Sequence, residues 1–535
     1  LDHLQHLGLN AVVKGQPVRV VSLYAEAPDY RPTGSPARDG FEGIASLDDA
    51  ARAAVVYLRE YEATGDVRDR NEAVRLLDFV VAMEQGDGEF VNFIDSAGRL
   101  NRTAPSSRKS MSYWAARSIW ALGEAVRVFG PEDSTVTRVR PVLNRAVARM
   151  AREVDAGRLI GGSTTATSEA LLGLLALRQA EPSTQGYLSL GQATADLLAA
   201  SSAGTMSTAP WGAHVDGRGD AWHAWGARST EALATAGSLL DPKYVSSAQK
   251  EADGLWGRFL LAGGIPSAVA PDGTATWYPQ IAYGVGPIVE GYLALADATG
   301  ERRYAVFAGL AASWLLGANA ASVSMYDEKT GLTFDGIDGP SPIPLNRNSG
   351  AESTIEALLA LQAVNSNPDA AEYLHYRPVG EQSASLAQVP DRREYTGPGG
   401  ARLILRRGKS GIEIAPDDRA TTAPITLTYW PAANPPETRL ANRLAAQWNL
   451  ENPNVQVRVQ PLPAGRSSEE VLLAAIVAKA TPDVSSNVSS ALLSRLVRAH
   501  GVVRLDNRVA TSARLRERTS AAMLATLRLP DSGIY

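Results

Sequence analysis

Asp48 and Asp49 stand side by side at the start of an Ala- and Val-rich run, Asp335 lies in a Gly-rich stretch, and Glu352 follows Ser349-Gly350-Ala351. Carboxyl groups on opposite sides of a bond can do acid–base chemistry. One stays protonated through burial or a neighbouring anion and donates, and the other activates water. Adjacent helical residues point about 100° apart, so only one of Asp48 and Asp49 can face a site squarely, and the other is placed to cap the helix. Glu352 has a plainer role as a first-turn acid favoured by the helix dipole, and Asp335 as a turn residue. A second group gathers Asp220, Trp222, His223 and Trp225, with Trp211 and His214 just before it. Indole faces there could stack on a ring substrate, while His223 could act as a proton-transfer base or simply be a hydrogen-bonded structural residue. Tyr113, Trp114, Arg117, Gln280, Tyr283 and Asn348 complete the binding candidates, with Arg117 able to orient a carboxylate. Asp327, Asp335 and Asp338 share one loop, but their spacing is not that of an EF-hand, and no metal is expected.

The elements that must hold these residues repeat. Amphipathic stretches rich in Ala, Leu and Val alternate with short turns of Gly, Asp, Pro and Ser. The segments EYEATGDVRDRNEAVRLLDFVV (from Glu60) and LADATGERRYAVFAGLAASWLL (from Leu295) both end a helix at Thr-Gly, where Gly can take the left-handed C′ conformation. LDPKYVSSAQKEADGLW (from Leu240) is a looser copy. First helices of successive hairpins are expected near Asp48, Tyr113, Ser168, Trp222, Ile281 and Glu352. Partner helices are expected near Val67, Thr137, Gln185, Pro242, Arg302 and Pro368. Hairpins at that spacing can close into an all-α (α/α)6 toroid, each burying its apolar face against two neighbours. The first helices open with polar and aromatic side chains and would line the inside, so their N-terminal mouth would collect Tyr, Trp, His, Asp and Glu.

Composition bounds the rest. The chain has 535 residues, which at about 100–200 per domain means three or four domains. The net charge of -5, without a basic block, argues against a nucleic-acid surface. There are no cysteines, which excludes disulfides, thiolate metal sites and a cysteine nucleophile. No apolar run reaches the roughly 18 residues of a membrane span. No HExxH, GxSxG, Walker or GxGxxG motif stands in a supportive context, and no cofactor is expected. The chain starts at Leu1 without a leader pattern, which fits a removed leader or a chain boundary.

Several long motifs then carry a resemblance: VVSLYAEAPDY (from Val20), EGIASLDDAARAAVVYLREYEATGD (from Glu42), DGEFVNFI (from Asp87), YWAARSIWALGEA (from Tyr113) and FDGIDGPSPIPLNRNSGAESTIEALLAL (from Phe334). They resemble bacterial six-hairpin glycosidase-like proteins over residues 1–377. The resemblance implies a secreted or carbohydrate-associated protein acting on or binding a poly- or oligosaccharide. A Cys-Val pair expected before the paired aspartates stands here as Ser46-Leu47. Inverting hydrolases on this fold hold their two carboxyl groups roughly 6.5–9.5 Å apart. Asp48, Asp49, Asp335 and Glu352 are the catalytic candidates. A non-catalytic carbohydrate-binding scaffold stays open, as does a lyase or epimerase using His223 or a Tyr.

Residues 378–422 are Gly-, Pro- and charge-rich and read as a β-segment or linker. From 423 the pattern is strand, helix, strand, helix, an α/β lobe. TLTYWPAANPPETRLANRLAAQWNLENPNVQVRVQPLPAGRSSEEVLLAAIVAKATPDV resembles the first lobe of extracellular solute-binding proteins of sugar importers, as far as about residue 506. The expectation is a partial lobe over 423–535, an extracytoplasmic location, and a partner in a sugar-import or cell-surface assembly.

Overall fold

The computed structural model describes residues 1–33, 42–217, 219–340, 342–408, 411–416, 425–432, 434–452, 455–460, 468–478, 480–486, 490–499, 501–503, 528–529 and 533–534. The chain divides into two compact units, Leu1–Pro416 and Asp417–Tyr535.

In the first unit the inner helices are Leu47–Thr64, Tyr113–Phe129, Thr164–Ala180, Ser229–Leu239, Gly286–Thr299 and Ala351–Ser366. Each packs on the next, and the 351–366 helix returns to pack on the 47–64 helix, closing the ring. Outer partners follow them: Val67–Met83, Ser134–Asp155, Gln185–Ala200, Val245–Glu251 continuing through a π-helical turn at Ala252–Trp256, Arg302–Ala312 and Pro368–Ala371. The fold is thus an (α/α)6 toroid. Inner helices are buried nearly all round; Leu47 through Leu58 have no exposed residue. Such a helix must be made of small and apolar side chains. Where two inner helices come closest, a Cβ on Gly123 would stand 2.4 Å from the Gly173 carbonyl oxygen, so that contact admits only glycine. Both Thr-Gly turns behave as expected. Gly65 (φ 74°) donates to Tyr61 O, and Gly300 (φ 70°) donates to Ala296 O.

Two inner helices start later than expected. Trp222–His223 and Gln280–Ile281 are short strands, and the helices begin at Ser229 and Gly286. Trp222 pairs with Val269, and Gln280 pairs with Ile337. Strand alternation then buries Trp222 and Gln280 and leaves His223 half-buried.

After the last hairpin, Arg377–Pro378, Arg392–Thr396, Arg402–Arg407 and Ile412–Ala415 form an antiparallel four-stranded sheet in chain order. It belongs to the first unit. Arg393 donates to Leu261 O and Ala262 O, and Tyr395 to Leu260 O, so the outer 257–262 helix end has its free carbonyls met by this sheet.

In the second unit Ile425–Trp430 is the middle strand, parallel to Val455–Val459 on one side and Val484–Ser485 on the other. Helices Pro435–Glu451 and Ser468–Val477 connect them, and Ser490–Arg498 follows. Parallel strands joined through helices are the expected α/β pattern. The sequence-expected boundaries at 422/423 and 506 lie outside the described residues. Among the described residues no helix is long and apolar enough to cross a membrane.

Candidate active site at the N-terminal mouth of the ring

Ser46 caps the first inner helix: its hydroxyl accepts the Asp49 N–H at 3.1 Å. The capping role expected of one aspartate therefore falls to Ser46. The same Oγ lies 2.6 Å from Asp48 Oδ1 and 2.6 Å from Asp49 Oδ2. A hydroxyl has one proton, so it can donate to only one of them. The other contact requires a proton on a carboxyl group. Burial, and then the Asp48 charge, push Asp49 up to about 7, against the pull of Arg52. Asp49 is thus the carboxyl group placed to carry that proton.

Guanidinium groups bind this trio into the ring. Arg117 donates to Asp48 Oδ2 at 3.1 Å and to Glu169 at 2.8 Å, and its third contact is the Tyr283 hydroxyl. Arg52 donates to Asp49 at 2.7 Å and to Glu356 at 2.9 Å, and lies 4.8 Å over the Tyr283 ring. Its Nη2 also reaches Glu352 at 3.4 Å. One nitrogen touches both Asp49 and Glu352, so those two oxygens cannot be further apart than the two contacts laid end to end. That is inside the roughly 6.5 Å lower bound for inverting pairs. Glu352 differs from its neighbours in one respect: its side chain is 53% exposed. The surrounding wall strips part of its hydration and raises its pKa; Arg52 opposes this and Asp48 adds to it.

Asp335 is held differently. It accepts from Ser353 Oγ and from the Gly350 N–H, meeting free donors in the first turn of the 351–366 helix. Burial raises its pKa, and these two bonds lower it.

Aromatic side chains border the mouth. Tyr113 lies 5.0 Å from the Arg117 guanidinium, and Tyr24 is 42% exposed beside Asp49 and Glu352. Trp225 is 39% exposed and stacks on His223 at 4.7 Å. Gly226, in the same turn, packs against Thr165 and lies beside the Tyr283 hydroxyl. His223 Nδ1 is 2.8 Å from Trp225 O, an acceptor only, so Nδ1 carries the proton and Nε2 keeps its lone pair. Burial lowers the His223 pKa.

The other candidates lie elsewhere. Trp114 is buried and donates to Phe90 O. Gln280 is buried and accepts from Trp314. Trp222 is buried against Phe259, and Trp211 is buried under Arg258. Asn348 accepts the Ala27 N–H, and Asp220 is an exposed loop residue. His214 is clamped between Glu251 and Ser247. Sequence reasoning missed Ser46, Arg52, Tyr24 and the deeper Glu169, Arg228, Glu231, Glu290 and Glu356. Their signal was present: single charges inside small, apolar runs such as TSEALLG, PIVEGY and STIEALL.

The opposite end of the ring holds a cavity of about 890 Å³ lined by Glu231, Glu290, Gln362 and other polar residues. Among the described residues no aromatic side chain lines it, and these offer no stacking face for a sugar.

No family model matches the chain, and no curated protein matches it. Solved structures do. A D-mannose isomerase is similar at 13% identity and a TM-score of 0.48, over 64% of this chain and 91% of that one. A sugar epimerase from a ruminal bacterium is similar at 12% identity and a TM-score of 0.46, over 60% of this chain and 88% of that one. An inactive variant of the α-1,6-mannanase of Salegentibacter sp. HEL1_6, in complex with α-1,6-mannotriose, is similar at 13% identity and a TM-score of 0.41, over 64% and 94%.

Proposed function

We propose that the first unit is a glycoside hydrolase acting on a poly- or oligosaccharide at the N-terminal mouth of the ring. Glu352 is the proton donor, and Asp48 is the carboxylate that activates water. The observation that carries this reading is the contrast at the mouth. Glu352 is solvent-facing with one long contact to Arg52, while Asp48 is fixed by Ser46 and Arg117. A raised carboxyl beside an anchored carboxylate is the pairing that acid–base hydrolysis needs. Asp49, buried at 2% exposure, acts through Ser46 and Arg52 as a positioning residue. Tyr24, Tyr113 and Trp225 supply faces for sugar rings.

A second reading rests on His223, whose free Nε2 is placed to take a proton from a sugar carbon, as in an epimerase. Incubating the protein with a glycan panel in H₂¹⁸O and in D₂O separates the two. Hydrolysis places ¹⁸O in the new reducing end, whereas epimerisation places deuterium on carbon and leaves chain length unchanged. Inversion, the expected stereochemistry, is read from the anomer first formed. The resemblance of the second unit to a sugar-binding lobe, and its parallel strands, support work outside the cytoplasm beside a sugar-import or cell-surface assembly. Fractionation that leaves the protein in the cytoplasm contradicts this placement.

A further inference from the structure

Away from the ring mouth, the outer face of the fourth hairpin and the four-stranded sheet enclose a cavity of about 530 Å³. That is within the usual range for small-ligand pockets. Trp211, Gly254, Arg258 and Arg407 line it. Arg258 lies 4.3 Å over the Trp211 ring. Its guanidinium donates to Leu386 O at 3.2 Å and Met206 O at 3.3 Å, and its buried Nε has no partner. A guanidinium has five N–H donors, so most are unused. Among the described residues no carboxylate pairs with it. Asp253, in the same wall, is already taken by Arg303 and Tyr304. Asp272 accepts the Thr274 N–H and is exposed at the rim. Arg407 reaches Asp391 only at 3.6 Å, a carboxylate 89% exposed.

The backbone around this cavity is unusual in two independent ways. The wall carrying Asp253 and Gly254 is a π-helical turn, a rare form that occurs mostly as single turns inside α-helices and is frequent at functional sites. Trp211, a bulky residue, sits at φ 57°, in the left-handed region such residues rarely adopt. Gly254 lets the two meet: a Cβ there would stand 2.2 Å from the Trp211 carbonyl oxygen. Loss of hydration and the charge of Arg407 pull Arg258 down to about 10. Two cations facing one cavity, one of them dehydrated and without an anion, leave a charge that a ligand can neutralise.

We propose that this cavity binds an oxyanion group, carboxylate, sulfate or phosphate, through the guanidinium groups of Arg258 and Arg407. The group arrives either as a free inorganic anion or on an acidic sugar. The site is separate from the ring mouth and does not depend on the hydrolase reading.

The test is calorimetric titration of the whole chain with inorganic phosphate, sulfate and glucuronate, with chloride at matched ionic strength and glucose as controls. The expected result is saturable binding of at least one oxyanion at millimolar concentration or below, and none of glucose. Arg407→Gln weakens it about tenfold or more. Arg258→Lys, which keeps the charge but loses the fork, weakens it too. Stronger binding of glucuronate than of phosphate identifies an acidic sugar, and the reverse identifies a phosphate or sulfate group. Arg258 also meets two backbone carbonyls, so Arg407→Gln decides the matter alone if Arg258→Lys fails to fold. No binding by wild type, or equal binding by wild type and Arg407→Gln, overturns the proposal.

Discussion

Two layers of charge inside the same ring are built from the same residue types and behave differently. In the deep layer two glutamates have a guanidinium on each carboxylate oxygen. Glu356 is fully buried and bonded by Arg52 at 2.9 Å and by Arg228 at 2.7 Å, one through each oxygen. Glu290 is held in the same way by Arg59 and Arg228. One helical turn nearer the mouth, the web is left incomplete. Glu352 has a single 3.4 Å contact and open solvent beside it, and Asp48 and Asp49 meet at one serine hydroxyl. Position along the axis separates the carboxylates that hold the ring together from those free to react.

Breaking the deep layer has the largest expected effect. Arg228→Met leaves Glu231, Glu290 and Glu356 short of a cation, and denaturant unfolding is expected to show a loss of about 3–5 kcal/mol. A loss below ~1 kcal/mol would mean that the deep layer is not structural. Next comes pH. Burial and the Glu290 charge push Glu231 to about 7, as burial and Asp48 do for Asp49. Both pKa values are raised above the unfolded carboxylate range of about 4, so the folded chain binds protons more tightly. Their stabilising contribution is full below about pH 4 and is lost as pH rises toward about 7. Asp49→Asn is expected to flatten that slope in thermal unfolding measured from acid to neutral pH; an unchanged slope would place the proton elsewhere.

Smaller effects sharpen the contrast at the mouth. Trp225→Ala is expected to raise KM severalfold with little change in kcat, on a stacking contribution of about 1 kcal/mol, in steady-state kinetics on the cleaved glycan. An unchanged KM would remove Trp225 from the sugar path. The smallest effect concerns stability: Glu352→Gln should change the unfolding free energy by less than about 1 kcal/mol, because the Glu352 side chain is half-exposed and the buried Arg52 keeps Asp49 and Glu356 as partners. A loss like that of Arg228→Met would move Glu352 into the structural layer.

How far the sequence carried can be judged from particular elements. Periodicity and the Thr-Gly turns located the hairpins, and the helices at Tyr113, Val67, Gln185 and Arg302 begin where expected. It failed at Trp222 and Ile281, where short strands precede the helices. Aromatic and β-branched residues suit strand and helix starts equally, and only pairing with Val269 and Ile337 decides between them. At the site, Asp48, Asp49, Arg117, Tyr283 and Glu352 were legible as polar residues at inner-helix starts. Trp114 and Gln280 have the same signature but turn into the core, because which face a side chain takes depends on packing between neighbouring hairpins. The deep charges were overlooked because each is a lone charge in a small, apolar run, and its partners stand on other inner helices, as Arg59 and Glu290 do.

The most direct test of the central claim compares turnover of Glu352→Gln and His223→Asn with wild type on a glycan that the wild type cleaves. The account predicts a fall of about 100-fold or more for Glu352→Gln, and near-normal cleavage by His223→Asn. Normal turnover by Glu352→Gln together with loss in His223→Asn would contradict it and place the chemistry on the histidine.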